Sequence, residues 1–147
     1  MRTISRVRTD FIDFLRLAFA GGLVKANGQT LFRYDPADET VSNLIISGSN
    51  VTNPNRLNKE PAILVSRGDV KPEKNTKSLQ DSLLEHNWET GYSTHAYVMN
   101  CPIIMNCICP NDNEAETLAQ LAYILIEKNM PYIRRKFKYR QVDLGGI

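Results

Sequence analysis

The first run of apolar residues has helical spacing, three or four positions apart, and covers more than half of a helix circumference. Thr9 or Asp10 is placed to cap this helix, and Gly21-Gly22 is placed to end it. A helix this apolar belongs either at the centre of the core or between neighbouring chains. Its apolar positions are Phe11, Ile12, Phe14, Leu15, Leu17, Ala18 and Phe19.

The next part of the chain changes to the pattern of strands. Residues 29–34 and 40–46 are rich in β-branched and aromatic side chains, and a turn signal, Asp35-Pro36-Ala37-Asp38, separates them. This pattern predicts an extended β-hairpin over residues 29–46. The continuous apolar run in residues 61–66 predicts a buried central strand.

The least structured stretch by pattern is polar and carries mixed charge. It predicts a long loop over residues 67–93. Residues 94–100 and 103–109 then have strand patterns, with Pro102 between them. They predict either one long strand bent at Pro102 or a tight hairpin. We favour the bent strand, because a proline inside a central ladder would remove a hydrogen bond.

The last strong pattern is an amphipathic helix whose apolar stripe faces the core. Asn111 is placed to cap it, with Glu114 three residues later. Asn129 and Pro131 are expected to end this helix, and a short second helix is expected to begin at Pro131. The predicted core stripe is Ala115, Leu118, Leu121, Ala122 and Leu125.

Together these patterns predict an α+β fold in a single domain, residues 1–147. A mixed or antiparallel sheet is packed by an N-terminal helix and a C-terminal helix, with a protruding hairpin and a long loop. The length suits one domain, and 42% apolar with 23% charged residues is typical of a globular protein. A net charge of +2 is too small to indicate nucleic-acid binding by itself.

The sequence carries no pattern that asks for catalysis or a cofactor. Cys101, Cys107 and Cys109 are better explained as small strand residues than as metal ligands, because zinc would need further ligands at suitable spacing. His86 and His95 lack a nucleophile motif beside them. We therefore predict no enzyme, no metal and no cofactor. No signal peptide or membrane partner is expected either, since charges interrupt the N-terminal apolar run.

A basic cluster follows the last helical pattern and contains two aromatic residues. Three interpretations stay open: phosphate contacts with base stacking, a solvated helix end, and docking onto an acidic rim of another protein. The candidate contacts to a partner ring or to DNA are Arg134, Arg135, Lys136, Lys138 and Arg140.

Four landmarks make the chain resemble the tail-terminator (tail-completion or neck) proteins of long-tailed bacteriophages. They are the helix through residues 11–19, the stretch 60–68, the passage 109–116 and a C-terminal tail that returns to the sheet. Residues 60–68, E-P-A-I-L-V-S-R-G, are similar to an R-P-A-I-x-V-x-R-G stretch associated with such subunits. Residues 109–116, C-P-N-D-N-E-A-E, are similar to the family's strand-to-helix passage.

This resemblance implies a virion protein of the tail or neck, assembled in the host cytoplasm. It implies a ring of copies of this chain, expected to be hexameric, bound to the tail tube protein and to the head connector or stopper protein. DNA would pass transiently through the lumen. The hairpin and the loop would reach neighbouring subunits, which gives these candidate contacts: Leu31, Phe32, Tyr34, Leu44, Ile46, Lys71 and Lys74.

Three alternatives stay open. A head-completion (adaptor or stopper) protein belongs to the same class of virion subunit. A small nucleic-acid-binding accessory protein would act through residues 134–140. An enzyme whose chemistry has no recognisable motif is the third.

Overall fold

The computed structural model of the chain contains two compact units. The first comprises Met1–Ser66 and Ile103–Ile147, and the second is the intervening segment Arg67–Pro102. The structure describes residues 4–21, 32–37, 42–48, 60–72, 83–95, 99–139 and 141–146. The elements in these residues are α1 Ile4–Phe19, β1 Ile45–Gly48, β2 Ala62–Arg67, β3 Lys71–Pro72, β4 Leu83–His86, β5 Ser93–His95, β6 Met99–Asn100, β7 Ile103–Ile108 and α2 Asp112–Phe137.

Helix α1 forms where the apolar stripe predicts it, but it begins at Ile4. The predicted caps Thr9 and Asp10 therefore lie inside the helix. The Asp10 carboxyl group is buried and accepts a hydrogen bond from the Tyr139 hydroxyl, 2.7 Å away. The Asp10 carboxyl group thus binds a residue distant in sequence and does not cap the helix. The helix ends at Phe19, and a turn follows through Gly21.

A mixed three-stranded sheet in the order β1-β2-β7 forms the centre of the first unit. Strand β2 lies in the middle, as its apolar run predicts. Strand β1 is parallel to β2, with Ile46 opposite Ile63. The Arg16 guanidinium of α1 donates to the Ile46 carbonyl from Nε at 3.3 Å and Nη2 at 3.0 Å, which ties α1 to β1.

Helix α2 is longer than the sequence predicts and continues through Pro131. Asn111 caps it as predicted, because its side-chain oxygen accepts from the Asn113 N–H at 3.2 Å. The predicted end at Asn129 and Pro131, with a second helix beyond, is wrong. Ile133 and Phe137 are both buried, and their packing holds the helical path past the proline. The helix ends at Lys138, which has a left-handed conformation (φ 56°).

The core lies where α1, α2 and the sheet meet. Strand β7 alternates regularly: Ile103, Met105 and Cys107 pack against the core, and the residues between them are exposed. The helices flanking the sheet confirm the predicted α+β class. The fully buried large side chains are Leu15, Phe19, Phe32, Leu44, Ile46, Ile63, Val65, Leu118 and Ile133.

The second unit contains strands where the sequence predicts a loop. Strands β3 and β6 pair antiparallel, and so do β4 and β5, which form a hairpin. The predicted long loop over 67–93 therefore contains β3, β4 and the first residue of β5. The single bent strand over 94–109 is also wrong. A break at Cys101 and Pro102 separates β6 from β7, which belong to different sheets.

Candidate functional site

Three of the seven predicted inter-subunit contacts are buried in the chain's own core. They are Phe32, Leu44 and Ile46, each no more than 2% exposed. A fully buried side chain has no surface left for a neighbouring chain, so these positions do not fit an interface. The β-branched and aromatic content predicted strand positions for all three residues, but only Ile46 lies on a strand, β1. That content could not say which surface would cover these side chains.

The described part of the predicted hairpin folds back on itself through hydrogen bonds between Arg33 and Asn43. The Asn43 N–H donates to the Arg33 carbonyl at 3.0 Å, and the Arg33 N–H donates to the Asn43 side-chain oxygen at 2.6 Å. Tyr34 is half-buried beneath the Arg16 guanidinium, 5.5 Å from its ring centre. Residues 29–31 and 38–41 lie outside the described residues, and so does the candidate Leu31.

The two predicted lysine contacts have different outcomes. Lys71 lies on β3 with an exposed side chain, and Lys74 lies outside the described residues. His86, which the sequence predicts in the long loop, lies on β4, and His95, which it predicts on a strand, lies on β5. Of these two inter-subunit candidates, only Lys71 can therefore be placed on a surface.

The basic cluster occupies the last turn of α2. Arg134, Arg135 and Lys136 are exposed there, where positive charge is favourable at the negative end of the helix dipole. The aromatic residues are not available for base stacking. Phe137 is buried, and the Tyr139 hydroxyl binds Asp10.

The structure describes only one of the other two candidates of the cluster. Lys138 is exposed and forms the C-cap of α2, while Arg140 lies outside the described residues. The Lys136 ammonium lies 5.3 Å from the centre of the Tyr132 ring. The arrangement supports the interpretations as a solvated helix end or a protein-docking surface better than base stacking.

The β4–β5 hairpin exposes two aromatic side chains that the sequence analysis did not single out. Trp88 is 89% exposed and Tyr92 is 79% exposed. We call the turn that carries them, residues 87–92, the Trp88 tip. An Asn-to-Gly turn with one aromatic residue inside it and another directly after it is the sequence signal that could have revealed it.

Strand β7 is an edge of the three-stranded sheet within the described residues. Ile104 and Ile108 are exposed on the face of β7 opposite to the core, and no charged residue lies between Ile103 and Ile108. Natural edge strands are usually protected by charges, prolines or bulges, since an open edge can pair with another chain. This edge has neither a charge nor a proline within the strand.

An open groove of about 320 Å³ lies between α1 and α2. We call it the α1–α2 groove. Leu17 and Tyr132 are exposed at its walls, so apolar surface faces solvent there. Its lining residues are Phe14, Leu17, Ala18, Leu125, Asn129 and Tyr132.

The three cysteines have free thiols that burial makes less acidic. Burial raises the pKa of Cys107 from 9.0 to about 11, with the neighbouring Cys109 thiol as a smaller cause. Burial also raises the pKa of Cys101 and of Cys109. Cys107 and Cys109 pack against the core, as expected for small apolar strand residues. The described residues contain no group of three or more side chains that could hold a metal ion.

Comparisons with known proteins add no relative. No protein-family model, curated protein or solved structure matches the chain. Neither helix in the described part of the chain is long and apolar enough to cross a membrane.

Proposed function

We propose that this protein is a structural subunit of a bacteriophage virion, without catalytic activity. Copies of it form a ring, expected to be hexameric, that ends the tail tube and joins it to the head connector or stopper protein. The protein would be assembled in the host cytoplasm and would function in the tail or neck of the virion. DNA would pass through the lumen without being bound by sequence.

The observation that carries this proposal is the edge of β7, which no strand in the described part of the chain covers. A six-residue edge strand without charge, with Ile104 and Ile108 exposed, is a hazard in a protein that stays alone. In a protein that assembles, the same edge supplies backbone hydrogen bonds and apolar contact to a neighbour. Assembly therefore gives a physical reason for the unprotected strand.

The resemblance to tail-terminator proteins supports the particular assembly proposed, a ring that ends the tail tube. The stretch 60–68 contains the buried central strand β2, and the passage 109–116 leads from β7 into the capped start of α2. After α2, Val142 and Leu144 of the C-terminal tail pack against the core. The four landmarks thus correspond to structural parts of the first unit, except for residues 67–68, which begin the second.

Nucleic-acid binding has weaker support as the main role. The exposed cations at the end of α2 could contact phosphate, but the aromatic side chains beside them are already engaged. A basic helix end in which Phe137 is buried and the Tyr139 hydroxyl binds Asp10 fits a contact with an acidic protein rim at least as well. We assign Arg134, Arg135, Lys136, Lys138 and Arg140 to a partner ring in this proposal.

The oligomeric state tests the proposal. We expect light scattering after size exclusion to give a closed oligomer, and negative-stain images to show rings, alone or with a tail tube protein from the same gene cluster. A particle that stays monomeric under both conditions contradicts the proposal.

Charged side chains on β7 test whether the edge of this strand is an assembly surface. The double substitution Ile104→Lys and Ile108→Lys places charge on exposed positions, so it should reduce the ring fraction at a fixed concentration and leave the helical signal unchanged. Ile124→Lys is the matched control, because Ile124 is similarly exposed but lies on α2. If the double variant forms rings as well as the control does, the edge is not an assembly surface.

A further inference from the structure

The Trp88 tip is exposed and yet held in one conformation. The Asn87 side-chain oxygen accepts from the N–H groups of Glu89 at 2.9 Å and Thr90 at 3.2 Å. The Gly91 N–H donates to the Asn87 carbonyl at 2.8 Å, and Gly91 has the left-handed conformation (φ 71°) that the turn needs. These bonds close the turn that carries the aromatic residues.

The Trp88 ring itself is also supported. The His86 ring packs against it edge to face, with ring centres 4.4 Å apart. His86 Nδ1 is hydrogen-bonded to Ser93 Oγ at 2.7 Å, which fixes the imidazole across the hairpin. An exposed tryptophan that is already ordered loses little entropy on binding, and tryptophan is enriched among the residues that dominate interfaces.

The α1–α2 groove has the chemistry to receive such a ring. Its walls are mostly apolar, and its volume of about 320 Å³ lies at the lower end of the range for binding pockets, about 300–1,000 Å³. The Asn129 side-chain nitrogen donates to the Leu125 carbonyl at 2.8 Å, which leaves the amide oxygen as an acceptor. A buried indole N–H needs an acceptor of this kind.

Charge also matches between the two surfaces. Glu89 follows Trp88 directly and is exposed at the tip. The Lys136 ammonium lies over Tyr132, which lines the α2 wall of the groove. Asp13, one helical turn before Leu17 on α1, would repel Glu89. The charges therefore favour an orientation with Glu89 toward α2.

We propose that the Trp88 tip of one copy inserts into the α1–α2 groove of the next copy. The tip and the groove are different surfaces of the same chain, so the contact is head-to-tail, the kind of contact that closes into a ring or continues as a filament. This inference rests on the proposed function and supplies the contact between neighbouring subunits. Exposed apolar surface on both partners would be covered in every copy.

The protein's single tryptophan allows a direct test with two complementary variants. Leu17→Glu charges the groove at a position that is 59% exposed and keeps Trp88. Trp88→Ala keeps the groove and has no tryptophan. Neither variant should form rings alone. When Trp88→Ala is titrated into Leu17→Glu, Trp88 emission should shift to shorter wavelength and saturate at a one-to-one ratio.

Two double variants that lack Trp88 test whether the α1–α2 groove, and not another surface, binds the Trp88 tip. The double variant Trp88→Ala with Leu17→Glu should give no shift, because its groove is charged. Trp88→Ala with Ile124→Glu should shift the emission as fully as Trp88→Ala, because Ile124 does not line the groove. A shift with the charged groove, or a loss of shift with Ile124→Glu, overturns the proposed contact.

The outcomes also separate this contact from the proposed function. If the wild type forms rings but the mixed variants show no shift, the Trp88 contact is wrong and the ring proposal stands. If the mixed variants show the shift but the wild type forms no ring, the contact stands and the ring proposal is wrong. Failure of both measurements overturns both.

Discussion

At the scale of single residues, the hydrogen bond between Asp10 and Tyr139 joins α1 to the segment that follows α2. Asp10 lies on α1 and is buried, while Tyr139 directly follows the C-cap of α2. The Tyr139 ring is also stacked on Phe11, with ring centres 6.1 Å apart. A buried carboxyl oxygen that loses its donor keeps the cost of desolvation without the compensating bond.

Tyr139→Phe should therefore lower the free energy of unfolding by about 1–2 kcal/mol. The phenyl ring keeps the packing on Phe11, so the loss reports the hydroxyl alone. Urea denaturation measures it, with the exposed Tyr92→Phe as control, which should change stability by less than about 0.5 kcal/mol. Equal stability of the two variants would contradict the structural role of the hydroxyl.

Cys107 should react with iodoacetamide about a hundredfold more slowly than an ordinary thiol at pH 8, because a pKa of about 11 leaves little thiolate. Peptide-resolved mass spectrometry measures the rate, and labelling in urea is the control, in which all three cysteines should react alike. Rapid labelling of Cys107 in the native protein would contradict the shift.

The same raised pKa has a consequence for stability. Since the folded-state pKa lies above the unfolded value, the neutral thiol favours folding at low pH, and this contribution is lost as pH rises from about 9 to about 11. The difference in unfolding free energy between wild type and Cys107→Ala should shrink across that window.

At the scale of elements, α2 continues through a proline because packing outweighs a local cost. Pro131 has no N–H to donate to the Glu127 carbonyl, and an interior proline costs about 3 kcal/mol relative to alanine. Beyond it, Ile133 and Phe137 are buried, and each large apolar side chain stabilises by about 1.5–3 kcal/mol. Two such residues offset the proline.

Pro131→Ala should accordingly raise the free energy of unfolding by about 1–3 kcal/mol, since it restores the missing hydrogen bond in an already helical backbone. Chemical denaturation measures the gain. The control, Gln120→Ala, changes an exposed residue of the same helix and should have a small effect. A destabilised Pro131→Ala protein would mean that the proline is part of a required distortion in α2.

At the scale of the whole molecule, one compact unit is interrupted in the sequence by another. Strand β2 leaves the first unit near Ser66, and the chain re-enters it at Ile103, the start of β7. Because β1 is parallel to β2 in a mixed sheet, β7 is antiparallel to β2. The Ser66 hydroxyl donates to the Ile104 carbonyl at 3.4 Å. The points where the chain leaves and re-enters the first unit therefore lie side by side.

Replacement of Arg67–Pro102 by an Asn-Gly turn should therefore leave the first unit folded, because that turn suits two antiparallel neighbours. Circular dichroism and thermal unfolding should show both helices and a cooperative transition. A replacement by two prolines is the control, since it cannot form the turn and should fold poorly. Loss of cooperative unfolding in the Asn-Gly variant would mean that the first unit depends on the second.

Local sequence patterns were sufficient to predict the main elements and the fold class. Helical spacing located α1 and α2, Asn111 marked the start of α2, and the apolar run at residues 61–66 marked the central strand. These features depend on neighbours within a few positions, so they can be inferred from periodicity and capping chemistry.

Which surface packs against each apolar face depends on contacts between distant parts of the chain. The turn around Asp35 did not show that β1 would be parallel to β2, or that Phe32 and Leu44 would lie in the core. A period of two shows that successive side chains of a strand point to opposite faces, but it does not identify the partner strand. The same reason explains why Trp88 was missed. Its exposure depends on the pairing of β4 with β5, a contact between segments that the local pattern assigned to a loop.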